Sequence, residues 1–277
     1  MKSGQAKRYE FSANTGYLWT DLPFLDRIRR AATHGFDAVE FHDEARRTDR
    51  GELKEVLEQT ELPVGGINVR MEETFGCAAI PGQGDQAKRD VDEAIEIAED
   101  IDADAIHVLA GLTSGQAAHA AFLKTLRHAL CHTDRTILIE PVCAEQLPGY
   151  FLRTIEQAAE VISDIGHPRL KIMFDCYHIF RESGGLSANF NAHAGNIGHV
   201  QIAAAEGRAE PFPGEIDYGE LLPAMRSCGY AGRFGCEYRP AGTTEDGLSW
   251  RDAFCDDAGI ANVRTATPLA SHPGPRP

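Results

Sequence analysis

The chain alternates short apolar runs with longer amphipathic segments over most of its length. The short runs have the length and composition of buried β-strands, and they are Phe11–Asn14, Ala38–Phe41, Val64–Asn68, Ala105–Ala110, Thr136–Pro141, Lys171–Asp175, His199–Ile202 and Arg233–Glu237. Patterns typical of helices lie between them, at Pro23–Thr33, Gly51–Gln59, Asp85–Asp100, Gln116–Leu130, Gly149–Ile165, Ser187–Gly195 and Tyr218–Ser227. The pattern therefore predicts eight strands joined by helical connections.

This alternation indicates an α/β fold with a parallel sheet. Strands that alternate with helices pair in parallel through right-handed crossovers, and eight of them favour a closed (β/α)8 TIM barrel. An open, doubly wound sheet is the alternative. The length of 277 residues fits a barrel of roughly 250 residues, and no linker divides the first part of the chain. We expect one barrel domain over residues 1–256 and a proline-rich, partly disordered tail over residues 257–277.

Composition narrows the class of partner. The net charge of −15 argues against general binding to nucleic acid, which requires a basic face. No apolar run is long enough for a membrane span, and Met1–Glu10 lacks the apolar core of a signal peptide. The seven cysteines are widely spaced without a CxxC pair, which disfavours a disulfide framework. We therefore expect a cytoplasmic protein that binds neither membrane nor nucleic acid.

Oxygen-bearing side chains lie at or next to the ends of the last four predicted strands, one per strand. They are Glu140, Asp175, Gln201 and Glu237. Because active sites of parallel barrels lie at the carboxyl ends of the strands, we expect these four residues at one rim. Three carboxylates in a poorly solvated mouth repel one another, and a divalent cation relieves that repulsion. Carboxylate and amide oxygens favour Mg²⁺ or Mn²⁺, although any single acid could instead cap a helix or form a local ion pair.

Four further polar residues are expected near the same rim and are candidates for binding substrate. His178 follows Asp175 by three residues, and Arg208 lies in the loop after the seventh predicted strand. Asn68 and His107 belong to the third and fourth predicted strands. The alternatives remain open: His107 could be a hydrogen-bonded core residue, and Arg208 could be a solvated loop arginine.

Several segments are familiar beyond their pattern. The chain resembles the hydroxypyruvate isomerase family, within the xylose-isomerase-like TIM barrels, in the runs FSANTGYLWTDLPFLDRI, AATHGFDAVEF, GHPRLKIMFDCYH, IGHVQIA and FGCEYRPAGTTEDGLSW. The resemblance extends from about Phe11 to Trp250. It implies a divalent metal on Glu140, Asp175, Gln201 and Glu237. It also implies a homodimer or homotetramer.

The resemblance further implies a reaction. The expected activity is isomerisation of hydroxypyruvate to tartronate semialdehyde through an enediolate held by the metal, with Glu140 and Glu237 moving the proton. Isomerisation of a 2-oxo-tetronate, or epimerisation of a ketose or sugar acid, is the nearest alternative. A lyase on the same scaffold, a DNA-repair endonuclease and a non-catalytic sugar-binding barrel are more distant ones.

Three loops depart from the family pattern. They are HDEARRTDR after the second predicted strand, NVRMEET after the third, and GRAEPFPGE after the seventh, where Ala209 replaces a histidine of relatives. We expect these loops to line the substrate side of the barrel mouth. The sequence therefore does not decide whether the substrate is a three-carbon acid or a longer one.

Overall fold

The computed structural model describes residues 9–254, and its parallel strands close into a barrel in the order of the sequence. The strands are β1 Phe11–Asn14, β2 Ala38–Phe41, β3 Val64–Asn68, β4 Ala105–His107, β5 Thr136–Ile139, β6 Leu170–Asp175, β7 Ile197–Ile202 and β8 Phe234–Cys236. Closure comes from the pairing of β1 with β8, where Ser12 lies opposite Gly235. The predicted TIM barrel is confirmed, and the open-sheet alternative is excluded.

Helices cover the outside of the barrel. They are α1 Phe24–Thr33, α2 Arg50–Thr60, α3 Gly84–Asp100, α4 Gln116–His132, α5 Ile155–Ile165, α6 Cys176–Ser183, α7 Leu186–His193 and α8 Tyr218–Ser227. Short 3₁₀ segments lie at Glu44–Arg47, Ala194–Asn196 and Glu245–Phe254. In α3 the apolar positions Val91, Ala94, Ile95 and Ala98 are all buried, as their helical spacing predicts. Within residues 9–254, every helix is too short or too polar to cross a lipid bilayer.

Several predicted boundaries were wrong for local reasons. Helix α5 begins at Ile155 rather than Gly149, because the Thr154 hydroxyl accepts the Gln157 amide proton and caps the helix there. The predicted fourth strand ends at His107 instead of Ala110. The predicted tail, residues 257–277, lies outside the described residues.

Helix α6 is an element that periodicity missed, and it matters for the site. It follows β6 without a loop, because Asp175 ends the strand and caps the helix at the same time. The Asp175 Oδ1 atom accepts the backbone N–H of Tyr177 at 2.7 Å and that of His178 at 3.3 Å. The cap therefore fixes one oxygen of this carboxylate and aims the first turn of α6 at the barrel mouth.

Candidate active site

The four predicted ligand residues lie together at the carboxyl-terminal rim of the barrel. Asp175 and Gln201 are direct register partners on β6 and β7, while Glu140 and Glu237 come immediately after β5 and β8. Their exposed fractions are 7% for Glu140, 1% for Asp175, 2% for Gln201 and 8% for Glu237. Burial of this many polar groups is costly unless hydrogen-bond partners, opposite charges or a bound ion compensate for the lost water.

Arg208 donates several of the hydrogen bonds that these buried groups accept. Its Nη2 atom donates to Asp175 Oδ2 at 2.6 Å and to Glu237 Oε1 at 2.7 Å, and its Nε donates to the Glu237 carbonyl. The guanidinium lies over the rings of Tyr17 and Tyr177, 4.9 and 5.2 Å from their centroids. It is 2% exposed, so the solvated-loop alternative is wrong.

The Arg208 backbone is unusual, and the site gives a reason. Its φ of 56° lies in the left-handed region, which non-glycine residues seldom adopt. The surrounding carboxylates and rings hold the guanidinium strongly enough to maintain this conformation. Burial alone would lower the pKa of Arg208, but Asp175 and Glu237 outweigh it and the net shift is upward.

Glu140 has a different environment from Glu237. Its Oε1 atom is buried and has no hydrogen-bond partner among the described residues. The Nε2 atoms of His107 and His178 lie 3.8 Å from its two oxygens. Burial raises the pKa of Glu140 well above its ordinary value, and the nearby charges of Glu237 and Asp175 raise it further. Burial raises the pKa of Asp175 as well, so both acids take up a proton more readily here than they would in water.

His178 is held as a neutral ring with the lone pair of its Nε2 atom facing Arg208. Arg208 Nη1 lies 3.1 Å from Nε2, and a guanidinium can only donate, so Nε2 must accept. The proton is then on Nδ1, 3.3 Å from the Cys143 thiol sulfur. Burial lowers the pKa of His178 well below its ordinary value, and the charge of Arg208 adds to this.

His107 and Asn68 lie beside Glu140, behind the residues that line the mouth. They are register partners on β4 and β3, and His107 Nδ1 is 3.2 Å from Asn68 Oδ1. Burial lowers the pKa of His107 to about 3. Its Nε2 is buried without a partner among the described residues, so His107 is not a satisfied core histidine.

Sequence reasoning missed a set of residues from the first two strands. Glu40, on β2, accepts from Gln201 Nε2 at 2.9 Å and from His199 Nε2 at 2.8 Å. Burial alone would raise the pKa of Glu40, but His199 and the hydrogen-bond donors hold it below its ordinary value. Asn14 links this acid to the rim, since its Nδ2 donates to Glu237 Oε2 at 3.0 Å.

The residues fit a divalent metal. One ligand atom each from Glu140, Asp175 and His178 lies within 4.8 Å of the others. Buried oxygens without partners among the described residues, Glu140 Oε1 and Gln201 Oε1, belong to the same rim. Carboxylate and amide oxygens with one imidazole are suitable ligands for Mg²⁺ or Mn²⁺.

A small cavity of about 80 Å³ opens onto these groups. Its lining combines charged or polar residues with apolar ones, and it consists of Tyr17, His42, Met71, Phe75, Glu140, Val142, Gln146, Leu147, His178, Arg208 and Glu237. His42, Met71 and Arg208 come from the three loops that depart from the family pattern. Each of the three loops therefore contributes a residue to the lining of this cavity.

Comparison with known proteins agrees with this architecture. The family model described as xylose isomerase-like TIM barrel matches residues 28–254. The chain belongs to the xylose isomerase-like TIM barrel family. It is 37% identical to the hydroxypyruvate isomerase of Escherichia coli over 88% of this chain and 98% of that protein. It is 35% identical to the 2-oxo-tetronate isomerase of Cupriavidus necator over 87% of this chain and 96% of that protein.

A solved structure is also similar along nearly the whole chain. The protein described as AP endonuclease, family 2, from Brucella melitensis superposes with a TM-score of 0.85 at 32% identity, covering 90% of this chain and 100% of that one. A 3-keto-D-glucoside 4-epimerase from E. coli, at 19% identity and a TM-score of 0.72, shares the fold. The resemblance to the hydroxypyruvate isomerase family is confirmed, and this chain is a member of a family of isomerases.

Proposed function

We propose that this protein is a metal-dependent isomerase of a small hydroxy-oxo acid, converting hydroxypyruvate to tartronate semialdehyde. The observation that carries the proposal is that Glu140 and Glu237 line one buried cavity beside Asp175 and Gln201. Two carboxylates facing one cavity can remove a proton from a carbon and return it to the neighbouring carbon. An aldose–ketose type isomerisation also needs a proton to pass from the hydroxyl oxygen on the first carbon to the carbonyl oxygen on the second, so that the two groups exchange places.

The size of the cavity favours a short substrate. Its volume of about 80 Å³ is small beside the roughly 300–1,000 Å³ of ordinary ligand pockets. Met71, Phe75, Val142 and Leu147 form apolar walls, so a long polyol chain would find few hydrogen-bond partners there. A three-carbon acid fits this cavity better than a ketohexose, and a four-carbon 2-oxo-tetronate is the second candidate because of the C. necator relative.

The two glutamates have different surroundings, and the difference supports a division of roles between them. Glu237 is fixed by Arg208 and Asn14, whereas Glu140 has an oxygen without a partner among the described residues and a raised pKa. In this scheme one glutamate removes the proton from the hydroxymethyl carbon and the other returns a proton to the neighbouring carbon, and the raised pKa favours Glu140 as the one that holds a proton between the two steps. Glu237 assists from the other side of the cavity.

The remaining polar residues orient the substrate and stabilise its negative charge. Arg208 and His178 face the carboxylates from the mouth, while His107 and Asn68 close the β3–β4 side. The metal on Glu140, Asp175, Gln201 and Glu237 would withdraw electrons from the substrate oxygens and so acidify the adjacent C–H bond. The enediolate would meet Arg208 as its nearest fixed cation.

Net charge and cavity size weigh against a nuclease, although a relative of known structure is named as one. The chain carries −15, and the candidate active site lies in a cavity of about 80 Å³. A phosphodiester backbone needs a basic, open surface.

The test is the kinetics of two variants on three substrates. Glu140→Gln and Glu237→Gln remove the proton carriers without changing size, and each should lower kcat on hydroxypyruvate by about 10²- to 10⁴-fold. Glu160→Gln, an exposed position on α5, should keep wild-type turnover. Parallel assays on a 2-oxo-tetronate and a ketohexose locate the preferred chain length. Near-full turnover by both active-site variants would contradict the mechanism.

A further inference from the structure

Beneath the rim, the carboxylate of Glu40 collects hydrogen bonds from two other strands. Its Oε2 accepts from Ser12 Oγ at 2.6 Å and from His199 Nε2 at 2.8 Å. Its Oε1 accepts from Gln201 Nε2 at 2.9 Å and from Asn14 Nδ2 at 3.4 Å. Glu40 is 4% exposed, so this network is isolated from bulk solvent. An acid on β2 thus joins β1 to β7 across the barrel interior.

The space for the Glu40 carboxylate depends on the absence of a side chain at Gly235 on β8. A Cβ atom at Gly235, on β8, would lie 2.5 Å from Glu40 Oε1 and 2.9 Å from Gln201 Cγ. Both distances are far inside van der Waals contact, and both involve side chains already fixed by hydrogen bonds. Glycine at this position is therefore part of the same arrangement.

The chemistry of the pair sets which way the amide of Gln201 faces. An ionised carboxylate can only accept hydrogen bonds, so the amide must present its NH₂ group to Glu40. Its carbonyl oxygen, Gln201 Oε1, is then left buried with no partner among the described residues. An amide oxygen can coordinate a hard cation, whereas an amide NH₂ cannot.

We propose that Glu40 is a positioning residue that holds the amide of Gln201 with its oxygen turned toward the metal centre. Glu40 does not touch substrate or metal; it acts through Gln201. The inference rests on the proposed metal centre and adds a residue to it. Supporting groups of this kind typically change metal affinity by about 10- to 100-fold when they are removed.

Glu40→Gln tests this directly, because it preserves size and changes one atom. The amide oxygen introduced at this position would keep the two short bonds from Ser12 and His199, which leaves the new NH₂ group facing Gln201. Two NH₂ groups cannot bond to each other, so the Gln201 amide turns over and presents NH₂ to the metal site. Isothermal titration calorimetry with Mn²⁺ alone should show that Glu40→Gln binds the ion about 10- to 100-fold more weakly than the wild type.

Two further variants separate positioning from general damage. Asp90→Asn alters another buried acid, on α3, which pairs with Arg70 and Gln86, and it should leave Mn²⁺ affinity unchanged. The double variant Glu40→Gln, Gln201→Glu restores a donor facing an acceptor across the same pair, with the positions exchanged. It should bind Mn²⁺ more tightly than Glu40→Gln alone.

The outcomes distinguish this inference from the proposed function. Wild-type affinity in Glu40→Gln, or no recovery in the double variant, would overturn the positioning role and leave the metal centre intact. Absence of saturable Mn²⁺ binding by the wild-type protein would overturn the metal centre itself. Weak binding by Glu40→Gln, recovery in the double variant and no change in Asp90→Asn establish the proposal.

Discussion

Identical side chains acquire different properties from their surroundings in this site. Glu140 and Glu237 are both glutamates at strand ends, but only Glu237 is bridged to Asp175 by Arg208. Glu140 instead faces two histidines whose pKa values are lowered by burial. The position of one arginine thus gives the two glutamates different surroundings, and the proposed division of roles rests on that difference.

The buried His107 predicts a specific dependence of stability on pH. Its pKa is lowered to about 3 in the folded state, against an ordinary value near 6.5 in the unfolded chain. Below pH 6.5 the unfolded chain binds a proton at this histidine, whereas the folded state does not bind one until the pH nears 3. The contribution of His107 to the free energy of unfolding is therefore fully present above pH 6.5 and is lost as the pH falls toward 3. When the pH is lowered from 7 to 5, the free energy of unfolding of the wild type should fall by about 2 kcal/mol more than that of His107→Gln.

Urea unfolding at a series of pH values measures that difference. His132→Gln, at an exposed position on α4, serves as the matched control and should follow the wild-type pH dependence. If His107→Gln also followed the wild type between pH 7 and pH 5, the ring would not be buried in its neutral form.

Elements were predictable from sequence where periodicity decides the structure. The strands and most helices bury one face or both, and the spacing of apolar residues shows this directly. Helix α6 was missed because a side chain, Asp175, starts it without any linker for the sequence to signal. The start of α5 was misplaced for the same kind of reason, since a single cap at Thr154 outweighs the apolar pattern before it.

Strand β8 has no space for a side chain at Gly235. Gly235→Ala would place a methyl group against Glu40 and Gln201, and we expect a loss of about 1–3 kcal/mol in the free energy of unfolding together with weaker Mn²⁺ binding. Gly66→Ala, on β3, is the matched control, because its Cβ would lie no closer than 3.6 Å to any neighbouring atom. Equal stability of the two variants in urea would show that β8 has more room than the structure indicates.

Closure of the barrel determines which residues of the site could be predicted from the sequence. Glu140, Asp175, Gln201 and Glu237 end successive strands, so a repeating unit is enough to predict that they meet. Asn14, Glu40 and His42 reach the same site only because β1 closes onto β8, a pairing between residues more than 200 positions apart. The one available signal was Glu40 itself, an acid inside the apolar strand AVEF.

Proton transfer at a metal centre is the central proposal for this protein, and NMR in D₂O tests it most directly. Hydroxypyruvate is incubated with the purified protein and Mg²⁺ or Mn²⁺, with and without EDTA, beside a Glu140→Gln control. We expect deuterium to enter the hydroxymethyl carbon and an aldehyde product to appear, both only with metal and only with wild-type Glu140. Deuterium uptake that is unaffected by EDTA, or no uptake above the protein-free rate with metal bound, would contradict it.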